Sequence, residues 1–345
     1  MLMLPKNLLL ATVLLFVPAA LSLPSGPVEG NPAIIPLPAA LSVEKDKPGF
    51  LIINSLPILK AGDKACLSSF LTGFSNNIHQ IKAVPVQNAN NAVQILLKKN
   101  SSLSPEWYSI KVTTQGITIS CTSPAGAFYA SQTLKQSLTK DAAGKWAIPC
   151  MNVTDSPRFS WRGIMIDSGR NPLSVTELKG IIDLLAQYKV NTIHWHLTED
   201  QGWRLEIKKY PKLTSIGATR PDRPVPGDRN KGDGKPYTFF YTQKEVKELV
   251  DYARNRHITI VPEIETPGHA AAAITAYPEF GNSDLPGYKP RVATRWGILP
   301  FTFSPTEATF KFIDGNIEEV CQLITNYPYI HMGGDEAPKQ QRRNS

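Results

Sequence analysis

The sequence predicts an α/β protein: an incomplete TIM barrel, about its first four βα units, preceded by a small α+β domain. Three observations carry this. Beyond Trp161, short apolar runs alternate with segments whose apolar residues recur at helical spacing. The helical segments open on Ser/Thr-x-x-Glu, the signature of a capping box. Polar residues gather at the C-terminal end of every apolar run, which in a barrel is one shared face.

Residues 1–22 read as a secretory signal. Lys6 gives a positive start, Leu8–Leu21 is apolar apart from Thr12 and Pro18, and Ala20-Leu21-Ser22 is a small-x-small cleavage pattern. A membrane span needs about 20 apolar residues, and Pro18 and Pro24 shorten this run. The expected location is therefore extracytoplasmic, with no membrane attachment after cleavage. Residues 24–48, rich in proline and glycine, read as an extended lead-in.

The small domain spans 31–155. Ala92–Leu97 is a short apolar run. Ile110, Val112, Ile117, Ile119 and Cys121 alternate around Gln115-Gly116, a hairpin signal. A helix is expected over Ala125–Leu138. No acid, base or metal constellation falls here, so this part reads as scaffold.

The barrel portion spans 158–345. Gly163–Asp167 reads as its first strand. A helix follows Ser174 with Leu178, Ile181, Ile182 and Leu185 on one face. Val190–Leu197 is the second strand, followed by a long loop and a helix from Thr242. His257–Ile264 is the third strand. A helix from Ser304, with Pro305 at its first position, precedes a fourth strand over Tyr329–Gly333. The capping boxes are Ser174/Glu177, Thr242/Glu245 and Ser304/Glu307. An open doubly wound sheet is the other βα architecture, but no glycine-rich phosphate loop follows any strand.

The net charge of +8 comes without a basic run, apart from Arg342-Arg343 near the end. It reads as a scattered basic surface bearing on solubility, with no nucleic-acid partner. Cys66, Cys121, Cys150 and Cys321 allow three pairings, which spacing does not choose between. They show no metal-type spacing and read mostly as small buried apolar groups. Asn100-Ser101-Ser102 and Asn152-Val153-Thr154 fit the glycosylation pattern.

The chemistry concentrates at the strand ends: Asp167-Ser168-Gly169-Arg170, then His194-Trp195-His196 with Glu199-Asp200, then Glu263-Ile264-Glu265 with His269, then Gly333-Gly334-Asp335-Glu336. Asp335-Glu336 is the most informative pair. Paired carboxylates suit glycosidic chemistry, but acid and enzymic nucleophile of standard retaining enzymes stand about 5–5.5 Å apart across the bond. Neighbours on one strand project to opposite sides. An adjacent pair therefore fits an acid plus an orienting group, with the nucleophile supplied by the substrate.

These residues carry a resemblance. His331-Met332-Gly333-Gly334-Asp335-Glu336 resembles the catalytic motif of the family 20 β-N-acetylhexosaminidases. Arg162–Arg204, with HWHLTEDQGWR inside it, VPEIETPGH at Val261–His269 and AGAFYASQTLKQ at Ala125–Gln136 resemble the same family, and together the likeness covers most of residues 30–340. The resemblance implies an exo-acting glycosidase that removes terminal N-acetylhexosamines from oligosaccharides or glycoconjugates. It implies substrate-assisted retaining catalysis with no metal or other cofactor. Glu336 would be the general acid and later base, Asp335 would hold the 2-acetamido group, and Arg170 would grip sugar hydroxyls. His269 with Glu265 would form a relay to Glu336. Trp203 reads as structural rather than as a sugar platform. Glu199 and Glu265 stand where many members carry Asp; Glu199 is kept as a sugar-binding candidate.

The chain stops nine residues after Glu336, whereas a complete barrel needs about four more βα units. The 345-residue chain is therefore expected to be a truncated product or fragment, unstable or inactive alone. Two other readings stand beside this one. His194-x-His196, joined by Glu263, resembles the metal-binding pair of barrel amidohydrolases, which gives a metal-dependent hydrolase. An incomplete barrel also fits a sugar-binding remnant without catalysis. Preference between the two N-acetylhexosamines, the natural substrate and the oligomeric state stay open.

Overall fold

The computed structural model describes residues 32–338, apart from 46, 53–54, 61, 76–80, 90, 141–143, 226–227, 284–286 and 326–328. The signal, the start of the lead-in and the tail 340–345 lie outside the described residues. Seven strands form a mixed sheet in the small domain: β1 Ala40–Val43, β2 Ser55–Leu59, β3 Lys82–Val86, β4 Val93–Leu97, β5 Tyr108–Thr113, β6 Gly116–Cys121 and β7 Met151–Asp155. Their order is β1-β7-β5-β6-β4-β2-β3. β5 and β6 make the expected hairpin, with Thr113 opposite Gly116. Their alternation puts Ile110, Val112, Ile117 and Ile119 into the core.

Two helices, α1 Lys64–Phe74 and α2 Pro124–Gln136, pack against each other and against this sheet. Ser123 caps α2 by accepting from Ala125 N at 3.1 Å. Cys66, Cys121 and Cys150 are buried free thiols and Cys321 is an exposed one.

The second unit is built on three parallel strands: β8 Gly163–Asp167, β9 Thr192–His196 and β10 Thr259–Glu263. The register aligns their ends, so that Asp167, His196 and Glu263 stand side by side. Between them run α3 Val175–Gln187 and α4 Gln243–Arg254. Both helices start as their sequence dictates. Glu177 N donates to Ser174 Oγ at 3.2 Å while Ser174 N donates to Glu177 Oε2 at 2.7 Å. Thr242 and Glu245 repeat the exchange at 3.2 and 2.8 Å. Each N-cap is worth about 1 kcal/mol. Their apolar faces, Leu178, Ile182 and Ala186 on α3 and Val246, Leu249, Val250 and Ala253 on α4, are buried.

Two expectations need correction. The helix placed at Ser304 is α6, Glu307–Leu323, after the short α5 Ala271–Ala276. Its cap is Thr306, which accepts from Thr309 N. Ser304 is held back because its own N–H donates to Phe280 O at 2.9 Å, so Pro305 is not in the helix. The fourth strand, expected over Tyr329–Gly333, is reduced to one parallel bridge between Glu263 and His331. His331 N donates to Pro262 O, Ile264 N to His331 O and Thr266 N to Met332 O, at 2.9–3.0 Å. Gly333 and Gly334 then take φ of 63° and 106° and turn the chain out of the extended path.

Two ion pairs join the units. Arg162 donates bidentately to Glu106 at 2.8 and 2.9 Å. Lys189, buried, reaches Asp155 and the Tyr108 hydroxyl, both at 2.8 Å, and Tyr108 also donates to Asp155 at 2.7 Å. No described helix is long and apolar enough to cross a membrane.

Candidate active site

The aligned ends of β8–β10 place their following loops on one face. Arg204 ties the loops after β8 and β9 together. Its buried guanidinium donates to the carbonyls of Gly169, Gln201, Ala218 and Phe239 at 2.8–3.1 Å. Trp203 beside it is buried and spends its indole N–H on Leu205 O at 2.7 Å, which is a structural role.

Arg170 follows β8. Its backbone N–H and guanidinium both bind Asp167, at 2.9 and 2.7 Å, and the guanidinium also pairs with Glu199. The side chain stays about a quarter exposed. The loop comes close because residue 169 is glycine: a Cβ there would lie 2.9 Å from Glu199 Cβ.

Glu199 is buried at the centre of the site. Besides Arg170 it lies 3.4 Å from His196 Nε2 and 3.4 Å from His269 Nδ1. Burial disfavours its charge, but the two histidines and Arg170 outweigh that and hold its pKa down at about 2. His196 is affected in the reverse sense. Burial works against its charged form, yet Glu199 and Glu263 raise it to about 10.

His269, buried, has φ of 48°, unusual for a residue with a side chain. Its Nδ1 lies 3.2 Å from Asp200 Oδ2. Its Nε2 lies 3.3 Å from Glu336 Oε2 and 3.9 Å from Asp335 Oδ1. Asp200 and Glu199 raise its pKa to about 11, so both ring nitrogens carry protons at neutral pH. Asp200 is fixed in turn by Ala271 N at 2.9 Å, at the start of α5.

Two features depart from the expected arrangement. Glu265 does not meet His269. It lies under Gly333, where a Cβ would stand 1.8 Å from Glu265 Oε2, and its nearest cation is His196 at 3.9 Å. Burial and the negative Glu263 push its pKa up to about 7. The carboxylates at His269 Nδ1 are Asp200, at 3.2 Å, and Glu199, at 3.4 Å; Asp200 stood in the strand-end cluster of the sequence without a role. The second departure concerns Asp335 and Glu336. On a strand they would diverge, but the chain leaves extended geometry at Gly333 and Glu336 has φ of 45°. Both carboxylates therefore face the same imidazolium, and both are exposed, at 69% and 47% of the side chain.

The geometry thus brings Arg170, Glu199, His269, Asp335 and Glu336 together and adds Asp200. Beside this set, His194, His196 and His331 converge on the buried Glu263. A cavity of about 520 Å³, lined by Glu106, Trp161, Asn191 and His257 among others, lies at the opposite strand ends, away from these groups.

The description "Glycosyl hydrolase family 20, catalytic domain" matches residues 159–345, and "Glycosyl hydrolase family 20, domain 2" matches residues 31–156. The chain belongs to glycosyl hydrolase family 20. It is 40% identical over 260 residues to a beta-hexosaminidase of Porphyromonas gingivalis, covering 73% of this chain and 32% of that protein. The solved family 20 β-N-acetylhexosaminidase of Streptomyces coelicolor superposes with a TM-score of 0.75 at 28% identity, covering 89% of this chain and 61% of that one. The Vibrio harveyi family 20 exo β-N-acetylglucosaminidase, solved with N-acetylglucosamine, matches with a TM-score of 0.73 at 32% identity, covering 88% and 47%. This family 20 chain spans 32–47% of the length of the first curated relatives it matches. The incomplete barrel after a small α/β domain agrees with those matches.

Proposed function

We propose that this family 20 segment carries the acid and relay half of an exo-β-N-acetylhexosaminidase site that works by substrate-assisted retention. The observation that supports the reading best is His269 Nε2 at 3.3 Å from Glu336, with Asp335 beside it and Asp200 behind it.

Glu336 protonates the glycosidic oxygen as the bond to the anomeric carbon breaks. The substrate's 2-acetamido oxygen attacks that carbon and forms an oxazolinium ion. Asp335 accepts from the acetamido N–H, which orients the attacking oxygen and offsets the positive charge it develops. Glu336, now a carboxylate, takes a proton from the incoming water. His269 Nε2, 3.3 Å away, holds that carboxylate in place for the second step. Arg170, held in a fixed orientation by Asp167 and Glu199, offers its guanidinium to sugar hydroxyls. The substrate is an N-acetylhexosaminide, and residues 1–22 support action outside the cytoplasm.

Fluorination of the acetamido group tests the nucleophile. In a series of 4-nitrophenyl N-acetyl-, N-fluoroacetyl- and N-trifluoroacetyl-glucosaminides, the rate should fall steeply as the carbonyl oxygen loses basicity. A flat series excludes the substrate as nucleophile. For the sugar-binding alternative, N-acetylglucosamine binding without hydrolysis in a barrel-complete form would decide in its favour.

A further inference from the structure

We propose that His194, Glu263 and His331 form a binding site for one divalent transition metal of the zinc class, separate from the cluster around Glu336. The three residues come from neighbouring elements. His194 lies on β9, Glu263 ends β10, and His331 makes the bridge beside it. Glu263 Oε2 is 2.7 Å from His194 Nε2, and Glu263 Oε1 is 2.7 Å from His331 Nδ1. The two imidazole rings face each other with centroids 4.7 Å apart. The carboxylate is buried while the two rings are 27% and 49% exposed.

The donor set is two imidazoles and one carboxylate, which zinc takes at about 2.0–2.2 Å with water in the fourth position. Tetrahedral bonds of that length set donors roughly 3.3 Å apart. The present 2.7 Å separations open to that value by small side-chain rotations. His196 supplies the outer support such sites use, because its Nδ1 also binds Glu263 Oε2 and fixes the carboxylate plane.

One contact bears on which form of His331 faces the carboxylate. Gly333 N–H donates to His331 Nδ1 at 3.0 Å. A nitrogen that accepts there presents its lone pair, yet the same nitrogen faces a carboxylate oxygen at 2.7 Å. That lone pair is the one a metal would take in place of the Gly333 N–H, bridging Nδ1 to the carboxylate. The ligands do not overlap the proposed catalytic groups, and no step of the glycosidic reaction runs through the metal.

The test is calorimetric titration of the chelator-stripped 345-residue chain with zinc chloride, followed by cobalt substitution. The expected result is one saturable equivalent, a rise in Tm with zinc, and the visible absorption of tetrahedral cobalt. His331→Gln and His194→Gln, with folding checked by circular dichroism, should each weaken binding at least ~10-fold. His269→Gln should leave it unchanged. Absence of saturable binding overturns the proposal, as does affinity unaltered in both imidazole variants or lost in His269→Gln alone. If either imidazole variant fails to fold, the wild-type cobalt spectrum decides: octahedral bands reject the site.

Discussion

Asp200 and Glu336 touch opposite nitrogens of one imidazole: Asp200 lies 3.2 Å from His269 Nδ1, and Glu336 lies 3.3 Å from His269 Nε2. A change at Asp200 is therefore felt at Glu336, although the two carboxylates do not meet. Asp200→Asn removes the largest cause of the raised His269 pKa. In a barrel-complete form kcat should fall by about one to two orders of magnitude, within the range general acid–base groups contribute. The His269 titration, followed by NMR, should move down from about 11. Glu265→Gln should leave that titration nearly in place. The reverse pattern would return the relay to Glu265.

The same charges make stability depend on pH in a defined sense. The folded pKa of His269 is raised from 6.5 to about 11, so its contribution is full below 6.5 and is lost as pH rises through the folded value. His269→Gln should therefore lower Tm more at about pH 6 than at about pH 10.5. Glu199 behaves in the opposite sense. Its pKa is lowered from 4.5 to about 2, so its stabilisation is present above 4.5 and lost as pH falls through 2. A Tm difference for His269→Gln that stays constant across the alkaline range would contradict the paired geometry.

Lys189 and Asp155 form a buried pair between the two units, with Tyr108 completing it. Lys189→Met leaves Asp155 buried without its cation, which costs about 3–5 kcal/mol. Denaturant unfolding should show the loss. Removing both charges with Lys189→Met and Asp155→Asn together should recover part of it.

The strand β8 has a paired neighbour on one side only among the described residues, and Ile164 and Met165 on it are 38% and 54% exposed. Such an edge with exposed apolar side chains favours self-association. The purified 345-residue chain should associate with rising concentration in sedimentation analysis and give no robust turnover of a chromogenic N-acetylglucosaminide. Monomeric, fully active protein would refute this.

Much of this arrangement was legible in the residues themselves. Gly163–Asp167 is a strand over its whole expected length, and Ser174 and Thr242 cap their helices through local hydrogen bonds that need no distant partner. Ser304 was misread because a long-range bond to Phe280 O decides its fate, and no local pattern records that bond. The same holds for His269. Asp200 and Glu265 are both carboxylates at strand ends, and spacing does not say which one turns toward the ring. Gly333 decides it: by turning the chain directly over Glu265, it confines that carboxylate beneath the loop. That turn also brings Asp335 and Glu336 to one side, against the alternation expected of a strand.

The central claim, that Glu336 is the proton donor, is tested most directly on this segment completed with the remaining barrel half of the Streptomyces coelicolor relative. The measurement is kcat/KM for chitobiose and for 4-nitrophenyl N-acetylglucosaminide, with Glu336 intact and in Glu336→Gln. The account predicts a loss of about 100-fold or more on chitobiose, a smaller loss on the activated aryl glycoside, and retained binding of N-acetylglucosamine. Hydrolysis of chitobiose by Glu336→Gln within a few-fold of the parent would contradict it.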